Sequence, residues 1–102
     1  MARLIEVQDV TTLPPRLVMA AGDALLCMAT GGRAGGAPDV VHVLGPFVQG
    51  VMGPGGQMVV PAGPPSVVVV IARAPGEAVI EVMSGDPFGS SHSTTVHITV
   101  EP

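Results

Sequence analysis

Hydrophobic positions along this chain come in short bursts, and their spacing is that of strands. In "TTVHITVE" (94–101), Val96, Ile98 and Val100 fall on one side and Thr95, His97, Thr99 and Glu101 on the other. That two-residue period predicts a strand with one wet face. "RLIEVQD" (3–9) places Ile5 and Val7 together, with Glu6 and Gln8 interleaved. Further bursts are "RLVMA", "ALLCMAT", "DVVHVLG", "FVQGVM", "QMVVP", "SVVVVIARA" and "EAVIEVMS". Turn-forming residues separate them, and eleven prolines and fourteen glycines leave few windows for a helix of three turns. Short strands at this spacing predict an all-β fold: an antiparallel, immunoglobulin-like β-sandwich of about eight strands, formed by residues 1–102 as a single domain.

The run from Val67 to Ala72 breaks the alternation, with six apolar residues in a row. A membrane helix needs about 20 such residues, and Arg73 ends this run, so it is not a membrane span. A strand apolar on both sides sits centrally in a sheet whose outer face is also covered, or it contributes to an interface. The corner "APGE" (74–77) sets Pro75 before Gly76, a pairing for a type II turn, whose twist suits tight hairpins poorly. The chain is therefore expected to cross from one sheet to the other there. "GGRAGG" (31–36) and "GPGG" (53–56) are read as loops.

Composition sharpens this picture. Hydrophobic residues make up 47% and charged residues 12% of the chain, against a usual charged share of about 25%. Lys, Asn, Tyr and Trp are absent, which points to a GC-rich genome. Such a genome still encodes Asp, Glu and Arg, so the scarcity of charge is a property of the surface, and surfaces of this kind tend to be covered by something. A net charge of −4 without lysine, and with Phe47 and Phe88 as the sole aromatics, argues against nucleic acid. Anionic membrane surfaces are disfavoured on the same ground. No signal peptide is read in "MARLIEVQDV", so a cytoplasmic or assembly-associated location is expected.

Candidate chemistry is thin. Cys27 has no partner for a disulfide and reads as a small buried apolar residue. "GGRAGG" lacks the Gly-Lys-Ser/Thr of a phosphate loop. On a continuous strand His92 and His97 face opposite sides, and His42 lies between two valines; no metal site and no cofactor is expected. "SGDPFGSSHST" (84–94) gathers Asp86, Pro87, Phe88, four serines and His92 at one end of the sandwich. Ser, His and Asp in one loop do not make a triad, because the base approaches the nucleophile from a separate segment. No catalytic residue is assigned, and the chain is read as a non-enzyme. Met52 and Met58 flank "GPGG", where exposure would make them an adaptable contact surface.

The C-terminal half, "PSVVVVIARAPGEAVIEVMSGDPFGSSHSTTVHITV", resembles the last three strands of many bacterial Ig-like domains. Among these it is similar to the chagasin family of cysteine-peptidase inhibitors, which also has a strand opening resembling "GDALLCMA" (22–29). That resemblance implies three loops at one end that plug a peptidase cleft, carrying Asn-Pro-Thr-Thr-Gly, Gly-x-Gly-Gly and Arg-Pro-Trp. "GPGG" matches the second by letters, some way before "SVVVVIA". "DPF" (86–88) stands where the third would, with Asp86 for Arg and Phe88 for Trp, and the first keeps Thr30 and Gly31.

Two functions follow as expectations. The first, favoured by the doubly apolar strand and the low charge, is a binding or assembly module. It would self-associate as a homo-oligomer or decorate a larger structure such as a viral particle or filament. The second is a chagasin-like inhibitor acting through Gly53, Pro54, Gly55, Gly56, Asp86, Pro87 and Phe88 as its wedge; these residues and His92 are the candidate protein-binding positions. Either way the partner is a protein.

Overall fold

The computed structural model describes residues 2–36, 39–85 and 89–102. Ten strands and one short 3-10 turn account for their regular structure. They are β1 (Leu4–Val7), β2 (Arg16–Ala20), β3 (Ala24–Met28), β4 (Gly31–Gly35) and β5 (Val41–Phe47). After these come β6 (Val51–Met52), β7 (Met58–Val59), β8 (Val67–Ala72), β9 (Gly76–Gly85) and β10 (Ser91–Glu101). One four-stranded sheet runs β1-β3-β8-β5 and a second runs β2-β10-β9-β4, while β6 and β7 form a separate two-stranded ribbon. The two sheets face each other as a sandwich, so the all-β, immunoglobulin-like expectation holds.

Burial follows the pleat. Leu25, Cys27, Val68, Val70, Ala72 and Val41 project inward from the first sheet. Met19, Ala78, Ile80, Val82, Val96, Ile98 and Val100 meet them from the second. The core is thus aliphatic and mostly β-branched, side chains whose stiff χ1 suits a pleated surface. The turn over Val10–Thr12 closes one flank with buried Val10, and the Asp9 carboxylate fixes it by accepting from the Thr11 amide at 3.0 Å and hydroxyl at 2.6 Å. Those bonds hold the Asp9 carboxyl below its ordinary range.

Two pairings depart from an all-antiparallel sandwich. β1 runs parallel to β3, and β2 runs parallel to β10. Pro14 and Pro15, between the two strands, supply no amide for a ladder and so break the pairing there. The N-terminal segment leaves one sheet after β1 and joins the other as β2 without reversing. The corner at 74–77 does carry the chain between sheets, since β8 lies in the first and β9 in the second.

The segment "GGRAGG" is a strand and not a loop. β4 pairs antiparallel with β9, Gly31 opposite Met83 through Gly35 opposite Val79. Glycine weakens a strand unless another group approaches closely, and here one does. A Cβ on inward-facing Gly32 would lie 2.9 Å from Val68 Cγ1 and 3.3 Å from Val43 Cγ1, so valines of the opposite sheet fill the space. With β4 extended, a phosphate loop at this position is excluded.

β8 lies between β3 and β5, and Val68, Val70 and Ala72 are fully enclosed. Of its outward residues, Val67 is buried, and Val69 and Ile71 are half-buried.

Candidate binding site at the loop end of the sandwich

Three connections meet at one end of the molecule. The first is the two-residue corner Ala29–Thr30 between β3 and β4, the second is the long passage from β5 to β8, and the third joins β9 to β10. Backbone hydrogen bonds stitch them together. The Thr30 amide donates to the Met83 carbonyl at 2.8 Å, Ala29 to Ser66 at 2.9 Å, and Ser66 to Phe47 at 2.9 Å. The Thr30 hydroxyl also donates to the Met83 carbonyl, at 3.2 Å. A shallow hollow of about 140 Å³ opens between Met28, Thr30, Ser66, Ser84 and Gly85.

The β5–β8 passage carries the β6–β7 ribbon, and its tip is Gly53-Pro54-Gly55-Gly56. The Gly56 amide donates to the Gly53 carbonyl at 3.0 Å, and the Gly53 amide donates to the Gln57 carbonyl at 2.7 Å. The positive φ falls on Gly56 (+83°) and not on Gly55. This is the pattern of a type I turn followed by one left-handed residue, with proline where its fixed φ is favoured. A Cβ on Gly53 would come within 2.7 Å of the Gln57 amide group, and one on Gly55 within 2.8 Å of Gln57 Oε1, so the Gln57 side chain packs on the tip. Met52 and Met58 pair across the ribbon base and are 66% and 69% exposed. Val51, Val59 and Val60 are exposed beside them, and a hollow of about 600 Å³ lies between the ribbon and Pro61–Ser66.

The sites expected from sequence are therefore partly assembled. Gly53, Pro54, Gly55 and Gly56 form one tip, exposed except for half-buried Gly53, and the intervening ribbon explains their distance from β8 in the chain. His92 is exposed at the same end, within β10 opposite Ser84. Asp86, Pro87 and Phe88 lie outside the described residues. Sequence reading missed the exposed Phe47, Val48, Val51, Val59 and Val60. A signal for them existed: no Asp, Glu, Lys, Arg or His occurs from Val43 to Ala72, a segment that passes through the whole ribbon.

Ionic features lie elsewhere. At the opposite end, Asp23 is fully enclosed. It accepts from Arg3 Nη2 at 2.6 Å, Arg3 Nε at 3.1 Å, the Arg3 amide at 2.9 Å and the Ala20 amide at 2.9 Å. The Arg3 guanidinium, helped by the Ala20 amide, holds this carboxyl far below the usual range. The bridge ties β1 to the start of β3. Arg33 and Glu81 pair at 3.1 Å on the exposed face of the second sheet, where such contacts contribute little. Cys27 is enclosed in the core, and burial pushes its thiol up to about 11. Among the described residues no three His, Cys, Asp or Glu side chains are grouped to hold a metal ion. Nor is any helix among them long and apolar enough to cross a membrane.

No family model matches the chain, and no curated protein matches its sequence. Its likenesses are to solved structures. One is the crystal structure of the cysteine protease inhibitor EhICP2 from Entamoeba histolytica, 9% identical, at a TM-score of 0.53 over 98% of this chain and 97% of that one. Another is the solution structure of amebosin, 12% identical, at a TM-score of 0.49 over 99% of each. Entamoeba histolytica is not a bacterium, so the likeness lends nothing to a bacterial grouping. What the first likeness shows is the fold: the path of almost the whole chain follows that of EhICP2.

Proposed function

We propose that this chain is a non-enzymatic inhibitor of papain-like cysteine peptidases, and that its loop end enters the peptidase cleft. The observation that carries the proposal is the ribbon tip Gly53–Gly56, held out between β5 and β8 beside the two other connections of that end. A fold shared with a cysteine protease inhibitor over 98% of this chain supports it. The expectation of a decorating component of a viral particle or filament has no such likeness behind it.

The chemistry of the tip suits a narrow cleft. Three of its four residues lack a side chain, so the ridge is narrow, with the Gln57 side chain packed against Gly53 and Gly55. Pro54 and the Gly56 turn fix its shape before contact, which reduces the ordering that binding requires. Met52 and Met58 lie just behind it and fit an irregular apolar wall with their flexible thioether chains. No charge must be stripped of water along this segment. A tight turn cannot adopt the extended form in which substrate strands pair with an enzyme, so the tip occupies the cleft without being cut. The Ala29–Thr30 corner, bonded to Ser66 of the passage and to Met83 of β9, would be the next part of the contact, and exposed His92 on β10 would lie beyond it. Asp86, Pro87 and Phe88 are included in the proposed contact on their place in the sequence alone.

The test is a titration of papain with the purified chain, read by hydrolysis of a fluorogenic peptide. Reversible inhibition, with the chain recovered uncut, is the expected result. Full peptidase activity at micromolar chain would remove the proposal.

A further inference from the structure

We propose that the outer face of the β1-β3-β8-β5 sheet is a self-association surface, and that its occupant is a second copy of this chain. The pairing register lays three rows of side chains across that face. Glu6, Leu26, Val69 and Leu44 form the middle row. Leu4, Ala24, Ile71 and His42 form the row on one side, and Met28 and Phe47, with buried Val67 between them, the row on the other. The two polar members, Glu6 and His42, stand on the edge strands β1 and β5, where they would lie at the rim of a contact. The outer face of the second sheet is quite different: Arg16, Arg33, Glu77, Glu81, His97 and Thr99 give it an ordinary solvated character.

Area and charge decide the occupant. Four strands at about 4.8 Å spacing, with rows about 7 Å apart, make a patch of roughly 400 Å² in projection. That alone is within the range of about 300–600 Å² that marks the largest apolar patch of a monomer. Two such faces bury about 800 Å² between them. Leu4 and Phe47 within the rows are 71% and 46% exposed, and Val48 beside them, at 41%, extends the rim, so the total stays at about 800–900 Å², the size of a weak, transient contact. The expected dimer is therefore reversible, with a dissociation constant in the micromolar range. Each copy carries −4 at pH 7, so copies repel unless they meet through uncharged surface, and this face supplies it. A partner of opposite charge would find almost nothing here to pair with. Sheets stacked face to face at about 10 Å, as in a sandwich interior, give the packing.

The experiment is light scattering behind a sizing column, with the chain loaded from about 1 µM to about 1 mM. The weight-average mass should rise from 10.2 kDa toward twice that value as loading increases. Val69→Lys should hold it at the monomer. The substituted side chain points away from the core, its apolar stem covers the neighbouring strands, and its amine reaches water. Adding a positive charge to an acidic chain weakens long-range repulsion, so loss of association reads the contact itself. Leu44→Lys, on edge strand β5, should act alike and decides the matter if Val69→Lys does not fold. Val18→Lys, on the other sheet, should change nothing. A wild-type chain that remains monomeric at the highest loading overturns the proposal. So does a dimer that survives both substitutions on this face, or one abolished by Met52→Ser with Met58→Ser. Peptidase inhibition is a separate readout and does not bear on this result.

Discussion

Replacing Met52 and Met58 together by serine should weaken peptidase binding by about two orders of magnitude and leave the fold untouched. Fully burying a methionine side chain contributes about 1.5–3 kcal/mol. In the free chain Met52 and Met58 are 66% and 69% exposed, so two-thirds of each remains available to a partner. Scaling gives about 1–2 kcal/mol per residue and about 2–4 kcal/mol for the pair. At 1.4 kcal/mol per decade that is roughly 30- to 1,000-fold in affinity. The loss should fall on dissociation, since no charge that steers encounter is altered. Inhibition constants from progress curves, with rates from stopped-flow mixing, check both statements. The melting temperature should move little, because neither side chain touches the core. A double variant that inhibits within threefold of wild type would refute the placement of the ribbon in the contact. A variant that melts much earlier would show that these side chains do support the sandwich core, against their placement outside it.

Gly32→Ala should destabilise the chain by about 1–2 kcal/mol, from overpacking of about 1–3 kcal/mol less the benefit of a stiffer unfolded chain. The new Cβ would lie 2.9 Å from Val68 Cγ1, a buried branched side chain with little room to yield; denaturant melts check it, and an unchanged midpoint would contradict it. Ile80→Ala, in the fully enclosed core, should lower stability by about 2–5 kcal/mol in the same assay. The Asp23 carboxyl titrates lower in the folded chain than in the unfolded one. Its stabilising contribution is therefore complete above the unfolded value of about 4 and fades as pH falls through the folded value. Melting temperatures taken from pH 6 downward should decline in acid, and Asp23→Asn should be less stable at pH 6 with a flatter decline. The native Cys27 thiol, enclosed and with its titration pushed up to about 11, should resist aromatic disulfide reagents at pH 8 and react at once on unfolding.

How far the sequence could be read depended on whether local spacing or long-range contact fixed each element. β8, β9 and β10 were legible because valine-rich runs and clean alternation are local signals, and the crossing at 74–77 because Pro-Gly suits no tight hairpin there. β4 was not legible. Its glycines carry no strand preference, and the reason for Gly32 is the approach of Val68 and Val43 from the opposite sheet, residues 36 and 11 positions away. The parallel placement of β1 and β2 was hidden likewise, since alternation reports which side chains face inward and not which strand lies alongside. At the candidate site, "GPGG" was visible as a turn, but its projection depends on the pairing of Met52 with Met58 and Val51 with Val59. The charge-free stretch from Val43 to Ala72 could have been counted directly, and it would have directed attention to the ribbon's flanks.

The same charge-free stretch bears on how two contacts can share one small chain. Of its thirty residues, the inward half of β8 is consumed by the core, which explains the six-residue apolar run only in part. The remainder divides by shape. Leu44, Val69 and Ile71 contribute to a broad flat face, and a flat apolar face is complementary to another of its kind. Met52, Met58 and the glycine tip form a narrow convex ridge that two flat faces would leave unused, and a ridge needs a groove. Phe47 is where these surfaces adjoin, because it closes the end row of the flat face and begins the passage to the ribbon. A dimer formed on the flat face would therefore leave the tips free, yet it would crowd whatever encloses their bases. Inhibition by the dimer should then be weaker than by the monomer, and Val69→Lys should inhibit at least as well as wild type at high concentration. Inhibition that strengthened with dimerisation would mean that both copies contribute to one contact, and the division by shape would be wrong.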